Sequence, residues 1–166
     1  MNNRSASRLI PSLVALVALA ACQSPPPPAP KPPARLGVTL NAVADANPDA
    51  SGRPSPTVVH VYQLRSPVSF AGLDAFELLE NDKAVLGEAL AVRQEFVVQP
   101  GASVSASMEL EPSAREFAAV AAFRDIRNAS WYASAPLIID SDGDLADGGL
   151  ATITVGAAAV SVSIGP

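Results

Sequence analysis

Residues 103–110 read Ser-Val-Ser-Ala-Ser-Met-Glu-Leu. In an extended chain Val104, Ala106, Met108 and Leu110 point one way, and Ser103, Ser105, Ser107 and Glu109 point the other. A period of two sets one face against a core and the other in water, the pattern of a half-buried β-strand. The same pattern recurs outward in both directions. Leu36, Val38 and Leu40 alternate with Gly37 and Thr39, and residues 57–64 (TVVHVYQL) are β-branched and aromatic. Val92 to Val98 forms a further candidate, stopped by Pro100-Gly101. Residues 116–126 (EFAAVAAFRDI) are apolar on both faces, as a central strand is. Leu137 to Ile139 is short, Leu150 to Val155 follows, and Ala158 to Ile164 sets Val160, Val162 and Ile164 inward with Ser161 and Ser163 outward. About eight short strands separated by Pro, Gly and Asp turns predict an all-β chain folded as an antiparallel β-sandwich.

One segment has a different period. Between Ser69 and Asn81, Leu73, Phe76 and Leu79 fall on one side of a helix, with Asp74, Glu77 and Glu80 on the other. Ser69 is the candidate cap, and Lys83 to Leu86 extends the helix by a turn before Gly87. The expectation is a short helical insertion between two strands.

The N-terminus carries an address. Arg4 and Arg8 precede an apolar run of thirteen residues, Leu9 to Ala21, and Leu19-Ala20-Ala21-Cys22 closes it. A helix crossing the hydrocarbon core needs about 20 apolar residues, so the run reads as a signal peptide over residues 1–21. Cys22 is the only cysteine. Left as a plain thiol it would be a stray reactive group in an exported protein; acylated, it is an anchor. The tetrapeptide resembles the lipobox of bacterial lipoprotein precursors, and Gln23 after the cysteine is similar to their outer-membrane sorting pattern. Residues 23–34 (QSPPPPAPKPPA) hold seven prolines in twelve positions. Such a tract stays near polyproline II and forms a tether of about 35–40 Å over residues 22–34. A ligand for a proline-binding module is the other use of such a tract. The folded domain then covers residues 35–166.

Charge narrows the partners. The whole chain has a formal charge of −5, and losing Arg4 and Arg8 leaves nine Lys and Arg against sixteen Asp and Glu. An acidic chain repels phosphates, which argues against nucleic acid and against a polybasic grip on anionic lipid. Catalytic groups are scarce. His60 is the single histidine and sits in a strand beside Val59 and Val61, which reads as a packed or rim residue. No G-x-S-x-G elbow, H-E-x-x-H or Walker loop occurs, so no catalytic residues and no cofactor are expected.

Asp140, Asp142, Asp144 and Asp147 could direct oxygens at Ca²⁺, which takes about six to eight. The spacing is not that of an EF-hand: Gly143 is fourth from Asp140, and Ala151 stands where a bidentate Glu is needed. A solvated Asp/Gly hairpin is the alternative, and no metal site is expected. Asn128-Ala129-Ser130 matches a glycosylation sequon, a chance match in a chain that resembles a bacterial lipoprotein. Phe123 and Trp131 are expected in the core with Arg124 at its rim; a binding patch around them is the other reading.

A lipobox, a proline tether, Gly52 to Ser66 (GRPSPTVVHVYQLRS), a helix bearing Phe70 and Phe76, Leu86-Gly87, Pro100-Gly101 and Ala121 to Ile126 followed by Trp131 stand in this order. Together they resemble the type VI secretion system lipoprotein family TssJ (also SciN or VasD). One departure is Tyr132, where the family usually has Arg. The resemblance implies a transthyretin-like β-sandwich with a helical insertion. It implies an outer-membrane, periplasm-facing lipoprotein held by acyl chains on Cys22. It also implies a non-catalytic scaffold that binds the periplasmic C-terminal region of TssM and joins the TssM-TssL membrane complex. Partner contact would fall on the loop between the first two strands, residues 44–56 (ADANPDASGRPSP), where Asn47, Asp49 and Arg53 are the candidate contacts. Three prolines and a glycine independently mark that stretch as a long exposed loop. A periplasmic ligand- or Ca²⁺-binding lipoprotein using the aspartates is an alternative, and a cell-surface adhesin or immunity-type lipoprotein is a third.

Overall fold

Along residues 57–64, Val59 and Val61 enter one apolar cluster, while Tyr62 and Leu64 enter a second on the opposite face. The strand is covered on both sides, which is why it carries a near-continuous apolar run. The computed structural model describes residues 32–146 and 148–165. Its strands are β1 (Arg35–Ala42), β2 (Thr57–Leu64), β3 (Leu90–Val98), β4 (Ser103–Glu109), β5 (Glu116–Ala121), β6 (Tyr132–Pro136), β7 (Leu150–Val155) and β8 (Val160–Gly165). One α-helix, α1 (Ala75–Leu86), lies between β2 and β3. The signal segment, Cys22, the tether as far as Lys31, and Asp147 fall outside the described residues.

Two four-stranded sheets form, ordered β4-β1-β7-β8 and β3-β2-β5-β6. Their inner faces supply the main core, with Leu36, Val38, Leu40, Phe117, Ala119 and Ile153 among its buried members. The serines of β4 are exposed and Met108 is buried, as the alternation predicts. A third layer, α1, covers the outer face of the second sheet, where Leu78 and Leu86 pack with Tyr62, Leu64, Phe70, Ala118 and Val120. Every residue of β5 is buried, and its alanines leave room for the helix on one side and the facing sheet on the other.

Several elements differ from expectation. Strands β1 and β7 pair in parallel, from Gly37↔Leu150 to Ala42↔Val155, while the other strand pairs are antiparallel. Relative strand direction is a property of topology and leaves no local sequence signal. The helix begins at Ala75, capped by Asp74, whose side chain accepts from the Glu77 amide at 2.9 Å. Ser69 instead precedes a 3-10 turn, Phe70–Gly72, with no side-chain cap bond. The face packed on the sheet carries Ala75, Leu78, Asp82 and Leu86, and Phe76 is left 53% exposed. The helix kinks at Asn81 (φ −133°, ψ 42°) and continues through Lys83 to Leu86. Strand β5 stops at Ala121, and residues 122–131 form a turn that includes the 3-10 segment Ile126–Asn128. The expected strand at Leu137 to Ile139 lies upstream instead, at β6. The small residues of YASAP give little periodic signal; Leu137 is buried beyond the strand end, and Ile139 makes an isolated bridge to Leu145.

The helix phase has a measurable consequence. Leu78 is fully buried, so Leu78→Ala should cost about 2–5 kcal/mol in urea unfolding. Phe76→Ala on the exposed side should change stability by less than about 0.5 kcal/mol. Equal losses for the two would contradict the helix orientation.

Candidate functional site

The sandwich has two ends of different character. Pro32 to Ala34 lead into β1 at one end, which also holds the close of β2: the buried Gln63 amide donates to the Glu109 carbonyl and accepts from the Glu111 amide, both at 2.8 Å. At the other end of β1 the chain enters the loop of residues 43–56, beside the β5–β6 turn and the tight β7–β8 turn. The long loop expected from the sequence therefore lies at the pole opposite the tether's point of entry.

Asn47 organises this pole. It is 2% exposed and has φ +49°, a left-handed conformation that asparagine tolerates better than other non-glycine residues. Its Nδ2 donates to the Pro56 carbonyl at 3.0 Å, closing its own loop. Its Oδ1 accepts from the Arg124 amide at 2.7 Å, and its backbone amide donates to the Gly156 carbonyl at 3.3 Å. One side chain and its amide thus tie together the β1–β2, β5–β6 and β7–β8 connections. Of the three expected contact residues, Asn47 acts beneath the surface.

Asp49 and Arg53 form a ring on top of it. Asp49 Oδ1 accepts from the amides of Ser51 and Arg53 at 2.8 and 3.0 Å. Asp49 Oδ2 accepts from Arg53 Nε at 2.8 Å and pairs with the second guanidinium nitrogen at 2.8 Å. Gly52, at φ +78°, makes the turn possible. The Arg53 amide and guanidinium hold the Asp49 carboxyl below its ordinary value of 3.8. The Arg53 side chain is 79% exposed, so this pair presents charge to solvent while fixing the loop.

A cleft of about 440 Å³ opens beside the ring, with Pro48, Ala50, Phe123, Ala129 and Ala158 in its walls. Arg124 and Asp125 also line it, and the Asp125 carboxylate accepts from Asn128 Nδ2 at 2.9 and 3.0 Å. A second cleft, of about 300 Å³, lies against the same turn and is lined by Leu73, Phe76, Ile126, Arg127 and Trp131. Phe123 is buried and Arg124 exposed, as expected, although Arg124 belongs to a turn and not to a strand end; Trp131, expected in the core, is only half-buried and lines the second cleft. Tyr132 stacks on Phe70 with centroids 5.3 Å apart, a packing role for the residue at which the family differs. The binding patch weighed around Phe123, Arg124 and Trp131 is the sequence signal for this turn, while Ala157 and Ala158 carry none.

His60 lies elsewhere, under α1, and is 4% exposed. Its Nδ1 meets Tyr62 Oη at 3.1 Å, and its Nε2 lies 3.1 Å from Arg93 and 3.2 Å from Glu95. Asp82 of α1 pairs with Arg93 and lies 3.9 Å from the imidazole. This polar cluster joins helix to sheet and was not foreseen beyond a packed histidine. Burial, reinforced by Arg93, pushes the His60 pKa below 6.5; burial and Asp82 push the Tyr62 phenol up. The Asp-rich segment is a turn in which Asp140 Oδ1 accepts from the amides of Asp142 and Asp144 at 2.9 and 3.0 Å.

With this geometry in place, comparison with known proteins becomes specific. The profile of the type VI secretion lipoproteins (VasD, EvfM, TssJ) matches residues 34–153. The chain belongs to this family. The match extends past Trp131 and includes the Asp-rich turn. No curated protein matches the chain. Among solved structures, the type VI secretion lipoprotein TssJ1 of Pseudomonas aeruginosa is similar at 29% identity and TM-score 0.70, covering 81% of this chain and 98% of that one. Serratia marcescens Lip, a membrane-bound component of the type VI secretion system, follows at 25% identity and TM-score 0.66, covering 80% and 97%. A chain of a type VI membrane complex aligns at 26% identity and TM-score 0.62, covering 81% and 100%. The sandwich with its helical layer is thus the fold of the type VI secretion lipoproteins.

Two outcomes test the local account. Asn47→Ala should lose about 2–4 kcal/mol of stability, because two hydrogen bonds vanish and alanine resists the left-handed backbone; an unchanged melting temperature would contradict it. Because folded His60 takes its proton at lower pH than the unfolded chain, the folded state binds fewer protons just below pH 6.5. Stability should therefore fall as pH drops through 6.5, and His60→Gln should flatten that slope in thermal melts.

Proposed function

We propose that this type VI secretion lipoprotein is a non-catalytic scaffold, acylated at Cys22 and anchored in the outer membrane on its periplasmic side. Its loop pole binds the periplasmic C-terminal region of TssM and so joins the TssM-TssL complex. Residues 1–21 act as the signal peptide, residues 22–34 as the lipid-bearing tether and residues 35–166 as the binding domain. The observation that carries this reading is the separation of the ends: Pro32 to Ala34 lead into β1 at one pole, and the 43–56 loop with the cleft beside it occupies the other. A protein that couples a membrane to a partner needs its two attachments apart. Several acyl chains at about 0.8 kcal/mol per buried CH₂ hold such a protein for long times, where one chain holds marginally. Likeness to a chain in a type VI membrane complex supports the assembly.

The test separates anchor from contact. Cys22→Ser should release the chain from membranes, leave its affinity for the TssM region unchanged within about twofold and abolish secretion. A variant that stays in the outer-membrane fraction and secretes normally would overturn the anchor.

A further inference from the structure

The two sides of the sandwich are finished differently. On one side β6 and β8 lie against each other, with an isolated bridge from Ser130 to Ala159 and the Val160 amide donating to the Ser130 carbonyl at 3.0 Å. On the other side β3 and β4 end their sheets, and β3, at nine residues, is the longest of the edge strands. The direction of its backbone groups follows from the pairing of β2. The Val58 carbonyl accepts from the Ala122 amide and the Leu64 carbonyl from the Arg115 amide, so Val58 and Leu64 bond towards β5. By alternation Val59, Val61 and Gln63 bond towards β3, where they meet Phe96, Gln94 and Val92. The amides and carbonyls of Arg93, Glu95 and Val97 therefore point out of the sheet. Open edges of this kind are templates for a further strand. From Val92 to Val98 this one holds neither proline nor glycine, and its register shift falls beyond, opposite Gln63 and Leu64.

The strand that best matches this edge is a second copy of it. Residues 91–97 read AVRQEFV. Laid antiparallel about Gln94, Arg93 faces Glu95 of the second copy, and Glu95 faces its Arg93. Val92 faces Phe96, and Gln94 faces Gln94. Arg93 and Glu95 are the residues whose backbone groups point outward, so each of these pairs exchanges both backbone hydrogen bonds. Charged side chains usually guard an edge. Here the two signs stand evenly about one residue, and the guard becomes self-complementary. The Arg93 and Glu95 side chains already bond to each other at 3.0 Å and are 35% and 48% exposed, so two copies bring two such pairs into one ring of alternating charge. On the inner face Val92 and Phe96, half-buried against the main core, continue that core across the junction. The exposed apolar surface agrees independently. Val97 is 53% exposed, and in this register it falls opposite Ala91 of the second copy. Ala91 lines a groove with Lys83, Gly87, Leu90 and Arg93, which leaves room for the valine.

We propose that this chain forms an antiparallel homodimer through β3, which joins the β3-β2-β5-β6 sheets of two copies into one continuous sheet. The pairing uses no residue of the 43–56 loop and needs no TssM, so its failure leaves the scaffold reading untouched.

The test is sedimentation of the purified full chain in detergent, with the register read by disulfide trapping. Wild type should pass from monomer to dimer as its concentration rises. Glu95→Lys sets like charges opposite each other and should raise the dissociation constant of the dimer about tenfold or more, with folding checked by a thermal melt. In a Cys22→Ser background the introduced thiol is the only one. There Gln94→Cys, on the twofold axis, should cross-link most of the chain under mild oxidation, because residues facing each other across such a pair come within disulfide reach. Val92→Cys should not, since its two copies stand about 14 Å apart along the strands. If Glu95→Lys fails to fold, the two cysteine variants decide. A wild type that stays monomeric up to about 0.1 mM would overturn the proposal. So would Gln94→Cys cross-linking no faster than Val92→Cys, or a folded Glu95→Lys that dimerises as tightly as wild type.

Discussion

The amide side chain of Asn47 holds the working end of this molecule together. A β-sandwich gives rigid strands, yet the connections at its poles are independent of one another unless something joins them. Here a single buried residue in a left-handed conformation bonds to Pro56, Arg124 and Gly156 and makes three separate connections into one surface. The Asp49–Arg53 ring and the cleft beside it depend on that junction. If Asn47 lost its bonds, the β5–β6 turn bearing Arg124 and Arg127 would no longer be fixed against the loop.

Rigidity also comes from behind. β2 and β5 are buried on both faces, between the facing sheet and α1, so the strands that carry the turn cannot shift without exposing apolar surface. The helix is held by Leu78 and Leu86 and also by the cluster of His60, Tyr62, Asp82, Arg93 and Glu95. A half-buried polar cluster of this kind adds little net energy but disfavours other positions of the helix, since a shift would leave the buried Asp82 without Arg93. Helix placement in turn decides where Phe76 stands.

Strand identity was legible wherever one face meets water, because burial then imposes a period of two; β4 and β8 are read residue by residue. It was less legible in β6, an edge strand of small residues, and at the end of β5, where apolar residues run on into the turn. The parallel β1–β7 pair left no trace, since pairing direction follows from chain topology. The helix was found but its phase was wrong: Asp82 looks like a solvent residue until Arg93, eleven positions later, supplies its partner. The loop was visible as a loop from its prolines and glycine. That Asn47 sits beneath the surface, and that Arg124 stands beside it, depends on contacts across 77 and more residues that no local pattern records.

The central claim is that the partner sits on the pole opposite the start of β1. Hydrogen–deuterium exchange of the full chain, with and without the TssM periplasmic region, measures it most directly. The account predicts slowed exchange in residues 43–56, 122–131 and 156–159, with little change at residues 140–149. Protection concentrated at residues 140–149 or along β4 and β8, with the loop pole unaffected, would contradict it.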